Sequence, residues 1–445
     1  MLNKILCLFN VLFALNVEGM SYLIKRFIYS IDDYDQFIIN VCERLKNKNV
    51  FYIKAIQAAS SNNELFSKTV RDYMRVMADQ VPYNSEEYNI DKLKTILNKR
   101  NITLDENPIA SGTISVVFKA CGNDKKYAIK YKRDNIDDHI HKSIDEMKFV
   151  ITLLDYLPYF NRLNLLTTFN ENTKYIQEQL SFVDEWENIN TVYKANIRDN
   201  RYLIPRPYFK EITQENNIIV MDFLDGVGLE ALSSEEKDKF CEIVSKFGIK
   251  SIFFNGFVHG DLHQGNCKFL INNNTDYNAD TDTDNDSDSD SDVQPPKEQL
   301  ILYDFGILCR ISKKEQEAMY NVLTATFNEK YKEGAKYMLD ATQPQEIIKK
   351  LSTNKKRHLL DSLEYWCTKC VGDNKIITPK DVHELSSLLW EYNLTVSDWF
   401  CKIIFSFAVH ESMAKALSVN KTFLEYASDM IKESEQIFGE NSFKN

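Results

Sequence analysis

The stretch FVHGDLHQGN, residues 257–266, decides how the rest of the chain is read. Asp261 and Asn266 stand five apart in one short polar turn, flanked by the apolar runs SIFF (251–254) and CKFLI (267–271). That spacing is the one used by a phosphoryl-transfer loop. There an aspartate orients or deprotonates the attacking hydroxyl and an asparagine holds Mg²⁺. His259 fits a structural part, packing against the loop backbone and orienting it, and His263 likewise reads as structural.

Working outward, the missing parts stand in the required order. YAIK (127–130) places Lys130 on a strand, where a lysine holds the α- and β-phosphates. LYDFG (302–306) places Asp304 where an aspartate binds the metal between phosphates. A glutamate on a helix should fix the Lys130 ammonium, and Glu185 is the candidate. The phosphate-covering turn is PIASGTISVVFKA (108–120), with one glycine, Gly112, among Ala110, Ser111 and Thr113. Ordinary kinases use three glycines there so that the backbone can approach the phosphates. This loop should be stiffer, with the Ser111 and Thr113 hydroxyls offered to a phosphate.

The periodicities agree with that order. Residues 30–48 and 62–81 repeat apolar side chains at three- and four-residue intervals, as helices do, with Asn63 as a cap for the second. ISVVFKACG (114–122) and KKYAIKYKR (125–133) predict a hairpin through CGNDKK (121–126). Helical patterns run from about 144 to 195, broken by Pro158. RPYFKEIT (206–213) and IIVMDFL (218–224) predict a second pair of strands, and the chain past Gly228 is mainly helical. The fold class expected is α+β: a protein-kinase-like two-lobed fold with an N-terminal helical extension. Its divisions are 1–105 for the extension, 106–228 for the N-lobe and 229–445 for a helical C-lobe that carries an acidic insert at 272–296.

With 445 residues, 44% of them apolar, the chain can bury a substantial core. Eight aspartates and no lysine or arginine lie between Asp276 and Asp292, and without them the net charge of −11 falls to about −3. Nothing in the near-neutral remainder suggests a nucleic-acid footprint. The insert itself is too polar to pack, and it lacks the glycine and glutamate of a calcium loop. Nine scattered cysteines predict reduced thiols and an intracellular protein. CTKC (367–370) reads as core thiols one turn apart, and WFCKIIFSF (399–407) as a core helix with a lipid-facing groove as the sharper alternative. The N-terminal run MLNKILCLFNVLFALNVEG (1–19) is too short in its apolar part to span a bilayer. It reads as a buried or membrane-touching amphipathic helix, with a targeting segment as the alternative.

Four stretches carry a family resemblance. FYIKAIQAASSNNELFSKTVRDYMRVMADQVPY (51–83) resembles the N-terminal F-I-K-x-G-Q segment of the UbiB-type (aarF-domain, ADCK) atypical kinases. PIASGTISVVFKA (108–120) resembles their alanine-rich loop, QLSFVDEWEN (179–188) their E-L-D-F-x-x-E-A-x-N, and FVHGDLHQGN with LYDFG their F-x-H-A-D-P-H-P-G-N and D-F-G. The resemblance implies ATP and Mg²⁺ as cofactors, with Lys130 and Glu185 positioning phosphates and Asn266 and Asp304 holding metal. Asp261 would orient the nucleophile. Ala110, Ser111, Gly112 and Thr113 would lie against the nucleotide, together with Lys54 and Gln57 of the K-x-G-Q element. It further implies a link to lipid or isoprenoid-quinone metabolism, hence a membrane surface or lipid/prenyl ligand as a partner and peripheral membrane association. Two departures stand out: Ile56 replaces the family's glycine, and Gln179 and Ser181 replace its E-x-D acids. Small-molecule phosphotransferases of the aminoglycoside and choline kinase kind share the H-G-D-x-H-x-G-N pattern but not the K-x-G-Q helix. They are the alternative class, and a nucleotide-binding scaffold with little turnover is the third.

Overall fold

Strand Lys125–Lys132, which bears Lys130, runs through the middle of a five-stranded antiparallel sheet. Its neighbours are Ser115–Gly122 on one side and Ile218–Asp222 on the other, with Thr103–Ser111 and Pro207–Tyr208 at the two edges. The computed structural model describes residues 2–46, 52–53, 56, 66–79, 81, 83, 85–155, 165–271, 296–373, 375–418 and 420–438. The chain forms two compact units, Met1–Asn190 with Arg206–Phe223, and Thr191–Pro205 with Leu224–Asn445.

In the first unit the central hairpin closes through Asn123 and Asp124, both in the left-handed region (φ 51° and 60°). These residue types tolerate that conformation, and two such residues make the primed turn that matches strand twist. Alternate side chains of the hairpin, Phe118, Ala120, Ile129 and Tyr131, pack with Ile218 and Val220 against Leu93 and Leu97 of the helix Ile90–Asn98. The edge strand Thr103–Ser111 escapes the sequence pattern because DENP at 105–108 reads as a loop. A register shift on each side of Pro108 accommodates it, as an edge allows.

The expected second pair of strands needs correction. Only Pro207–Tyr208 of RPYFKEIT is extended, and Lys210–Asn216 forms a short helix instead. Left-handed residues Phe209 and Asn217 bracket it, and Asn217 supplies a common helix stop. The N-terminal region is helical over Leu2–Ile28, Tyr34–Leu45 and Lys68–Asp79. The first helix buries Ala14 and Glu18 and exposes Leu6, Phe9, Phe13 and Met20. No helix among the described residues is long and apolar enough to cross a membrane. The cap at Asn63 lies outside the described residues, as does nearly all of the acidic insert.

In the second unit the helix Ser234–Lys250 starts on a capping box between Ser233 and Glu236. It runs on through Ser251–Asn255 to Gly256, whose φ of 71° turns the chain into strand Phe257–His259. This strand pairs antiparallel with Leu308–Arg310, while Cys267–Ile271 and Glu298–Leu302 form a hairpin whose connection is the insert. The apolar core is helical. Ile403, Ile404 and Phe407 of the helix Asp398–Leu417 meet Leu359, Leu363 and Trp366 of Thr353–Cys367 in one cluster. Cys367 and Cys370 are buried in it, with the Cys367 Sγ 3.1 Å from Met338 Sδ. Burial pushes both thiols up to about 12, so they are core thiols and poor nucleophiles.

Candidate functional site

The first unit holds the lysine and the loop. Lys130 pairs through its strand with Val117 and Ile219, which fixes its Cα from both sides. Its Nζ lies 2.5 Å from Glu185 Oε1 and 5.7 Å from the ring centroid of Phe182. Both partners are buried, Lys130 at 8% and Glu185 at 2% exposure. Removing either partner from a pair this deep takes a close opposite charge from the other, so the geometry is tightly specified. Glu185 sits in the first turn of the helix Phe182–Asn196.

The two replaced acid positions lie just before that helix. The Ser181 hydroxyl accepts the Asp184 N–H at 3.3 Å, a cap at the helix start. Gln179 buries its side-chain oxygen with no hydrogen-bonding partner among the described residues. Glu178, the last residue of the helix Leu165–Glu178, is exposed.

The loop joining Thr103–Ser111 to Ser115–Gly122 is held more firmly than its sequence suggests. The Ser111 hydroxyl donates to the Val81 carbonyl at 2.8 Å and accepts Arg133 Nη2 at 2.6 Å. The expectation that this hydroxyl is offered to a phosphate is therefore corrected, since its single proton is committed to Val81. The Gly112 N–H is likewise committed, to Ser115 O at 2.9 Å. Among the described residues, the N–H groups of Thr113 and Ile114 make no hydrogen bond within the protein. Ala110 is exposed and pairs with Val117. Lys54 and Gln57 lie outside the described residues.

The second unit holds the acidic and amide groups. His259 is buried at the end of strand Phe257–His259, its ring 5.0 Å from that of Phe305. Its Nδ1 accepts the Asp261 N–H at 3.2 Å and its Nε2 faces the Tyr303 carbonyl at 3.4 Å. These contacts select the neutral tautomer with the proton on Nε2. Burial holds the imidazole below its ordinary range, in agreement. The Asn266 side-chain NH₂ donates to the Asp261 carbonyl at 2.8 Å, which directs its amide oxygen away from that contact. The Tyr303 N–H donates to the Asn266 carbonyl at 2.8 Å, so Asn266 and Asp304 sit on adjoining backbone. Asp304 is itself left-handed, at φ 53°, and its Oδ1 accepts the Gly306 N–H at 3.2 Å.

An amide oxygen and a carboxylate on neighbouring backbone suit a hard cation such as Mg²⁺. That ion takes oxygen ligands and typically one or two carboxylates beside a substrate's phosphates. Among the described residues no three His, Cys, Asp or Glu side chains gather as a metal site of protein ligands alone. Sequence reasoning passed over Arg133, Val81 and Ile114. A basic residue closing a strand reads as solvated, and hydrogen bonds made by main-chain groups leave no trace in the residue types.

A family model described as the ABC1 atypical kinase-like domain matches residues 76–338. The chain is 24% identical over 245 residues to a probable serine/threonine-protein kinase, abkB, of Dictyostelium discoideum, an alignment covering 52% of this chain and 35% of that one. It is 23% identical over 310 residues to the probable protein kinase UbiB of Blochmanniella pennsylvanica, covering 67% of this chain and 52% of that one. The chain thus spans about half or less of the length of these relatives. Among solved structures, Rv3197 of Mycobacterium tuberculosis with erythromycin matches at 16% identity and a TM-score of 0.48, covering 88% of this chain and 91% of that one.

Proposed function

The chain belongs to the ABC1 atypical kinase-like family, and from that premise we propose that it binds ATP with Mg²⁺ and delivers the γ-phosphoryl group to an acceptor or to water. The observation that carries this reading is the buried Lys130–Glu185 pair, an ammonium held in place with no access to bulk water beyond a small edge. Lys130 then binds the α- and β-phosphates, and Glu185 keeps its ammonium charged and aimed. The Thr113 and Ile114 N–H groups take phosphate oxygens. Magnesium, when bound, neutralises charge on the phosphates. Asn266 and Asp304 would hold it through oxygen atoms.

Asp261 orients the nucleophile. Its backbone is fixed by His259 on one side and Asn266 on the other, which is the support a positioning group needs. His259 stays neutral and takes no part in proton transfer, so the proton of an attacking hydroxyl goes to the Asp261 carboxylate. The resemblance to UbiB-type kinases adds a lipid or prenyl-phenol ligand as the proposed effector or acceptor.

Tracking the γ-phosphate tests this. Labelled γ-phosphate is followed in wild type and Asp261→Asn, with and without liposomes. Free phosphate rising with liposomes supports a lipid-linked ATPase, and labelled small molecule or protein supports a kinase with that acceptor. Nucleotide binding without turnover that Asp304→Asn abolishes would leave only a scaffold and overturn the proposal.

A further inference from the structure

Lys132, Arg133 and Asp134 follow Lys130 on the same length of chain, and each is tied to other parts of the first unit, Arg133 and Asp134 both to Glu87. Lys132 Nζ donates to Leu180 O at 2.7 Å and pairs with Asp137 at 2.8 Å. The Asp134 N–H donates to Glu87 O at 2.7 Å. Arg133 makes the widest set of contacts. Its Nη1 meets Glu87 Oε2 at 2.6 Å, and its Nη2 meets Ser111 Oγ at 2.6 Å and Val81 O at 3.4 Å. Its own N–H donates to Ile114 O at 2.9 Å.

Val81 and Glu87 lie in the N-terminal extension just before the helix Ile90–Asn98, and Ser111 and Ile114 flank the Thr113 amide. A second bridge joins the same pieces, because the Val81 N–H donates to Ser111 O at 3.0 Å while the Ser111 hydroxyl returns a bond to Val81 O. Burying a guanidinium is costly unless its donors are satisfied. Here Nη1 and Nη2 find acceptors, while the buried Nε makes no hydrogen bond among the described residues. The planar fork holds the acceptors of Nη1 and Nη2 at a fixed spacing. Arg133 is 7% exposed. Its position therefore sets the distance between the extension and the loop.

We propose that Arg133 is a positioning residue for the nucleotide. It locks the amides of Thr113 and Ile114, which that reading gives to the phosphates, in place by tying the loop at Ser111 and Ile114 to Val81 and Glu87 of the extension. The loop can then work with one glycine, since its shape is imposed from outside. This rests on the Mg·ATP reading above. Arg133 touches no phosphate; it acts through the loop.

The test compares Mg·ATP with adenosine, which lacks phosphates, by calorimetry on the full chain, alongside thermal unfolding. Arg133→Met should weaken Mg·ATP about tenfold, the loss of roughly one charge-assisted hydrogen bond's worth of positioning, and leave adenosine affinity at its wild-type value. Arg133→Lys should recover part of the loss, because an ammonium reaches one acceptor but not the whole set. An equal loss for both ligands, or none, overturns the proposal and leaves Arg133 a purely structural arginine. Should Arg133→Met not fold, Ser111→Ala removes the shared hydroxyl, keeps the Cβ and carries the same expectation and the same refutation. Lys130→Met separates the two claims. If it leaves Mg·ATP binding unchanged, or if wild type binds no Mg·ATP, the nucleotide reading itself fails. If Lys130→Met weakens binding while Arg133→Met does not, only the positioning role fails.

Discussion

The Asn266 side chain spends its NH₂ on the carbonyl of Asp261, five residues earlier, at 2.8 Å. One side chain thereby closes the polar turn and leaves its amide oxygen for the metal proposed above. Asn266→Ala should cost both functions. Apparent Mg²⁺ affinity, read from a metal titration of turnover, should fall at least 10- to 100-fold, the range seen when groups supporting a metal are removed. Asn266→Asp keeps an oxygen ligand but loses the donor to Asp261, so it should retain metal dependence while lowering the melting temperature. An unchanged Mg²⁺ titration for Asn266→Ala would remove Asn266 from the metal assignment.

Lys130→Met takes away the ammonium that lies 2.5 Å from the Glu185 carboxylate in its 2% exposed position. Breaking one side of a buried pair costs about 3–5 kcal/mol. Denaturant unfolding should report that loss for Lys130→Met. The double variant Lys130→Met/Glu185→Leu should regain most of the stability and none of the turnover. Recovery of turnover in the double variant would show that the pair is structural only.

Gly112 and Gly260 should respond oppositely to alanine. A Cβ on Gly112 would have Ser115 O at 3.9 Å as its nearest neighbour, so Gly112→Ala should change stability by less than about 0.5 kcal/mol. A Cβ on Gly260 would come within 2.4 Å of Ile307 Cγ2, a branched atom with little freedom. Gly260→Ala should cost about 1–3 kcal/mol, and Ile307→Ala should relieve part of it. Paired melting curves for the four proteins decide the matter.

His410 gives the second unit an acid limit. Its Nδ1–H donates to Ser406 O at 2.8 Å, its ring lies 5.2 Å from that of Phe423, and Gly248 leaves the room it occupies. Burial holds the imidazole down to about 4 from its ordinary 6.5. The folded state therefore favours the neutral form. The stabilisation is whole above about pH 6.5 and is lost as pH falls towards 4, and His259 moves in the same direction. Between pH 7.5 and 5 the loss should be roughly 2 kcal/mol in chemical unfolding, and His410→Leu should flatten that slope. An unaltered slope in His410→Leu would assign the acid limit elsewhere.

The residues proposed to carry chemistry were legible because each sits in a short local pattern: Lys130 within a strand, Asp261 and Asn266 within one turn, Asp304 after another strand. Their type and spacing are themselves the signal. What stayed hidden was of another kind. The strand Thr103–Ser111 contains a proline and two acids, and only its place at a sheet edge makes that tolerable. The helix Lys210–Asn216 depends on left-handed Phe209, a residue that seldom adopts that conformation. The grip of Arg133 on Val81 and Ser111 spans 52 and 22 residues of chain, and main-chain acceptors do not declare themselves in residue types.

Asp304 occupies backbone space that side chains with a β-carbon enter reluctantly, apart from asparagine and aspartate. The choice of inactivating variant at this position therefore matters. Alanine there would alter backbone preference and remove the charge in one step, and any loss of function would have two explanations. Asparagine keeps the shape of the residue and its tolerance of the turn, so its effect reads out the negative charge alone. The same constraint narrows what drift can do to this position: a descendant that dispenses with the carboxylate here has its least disruptive exit through asparagine or glycine.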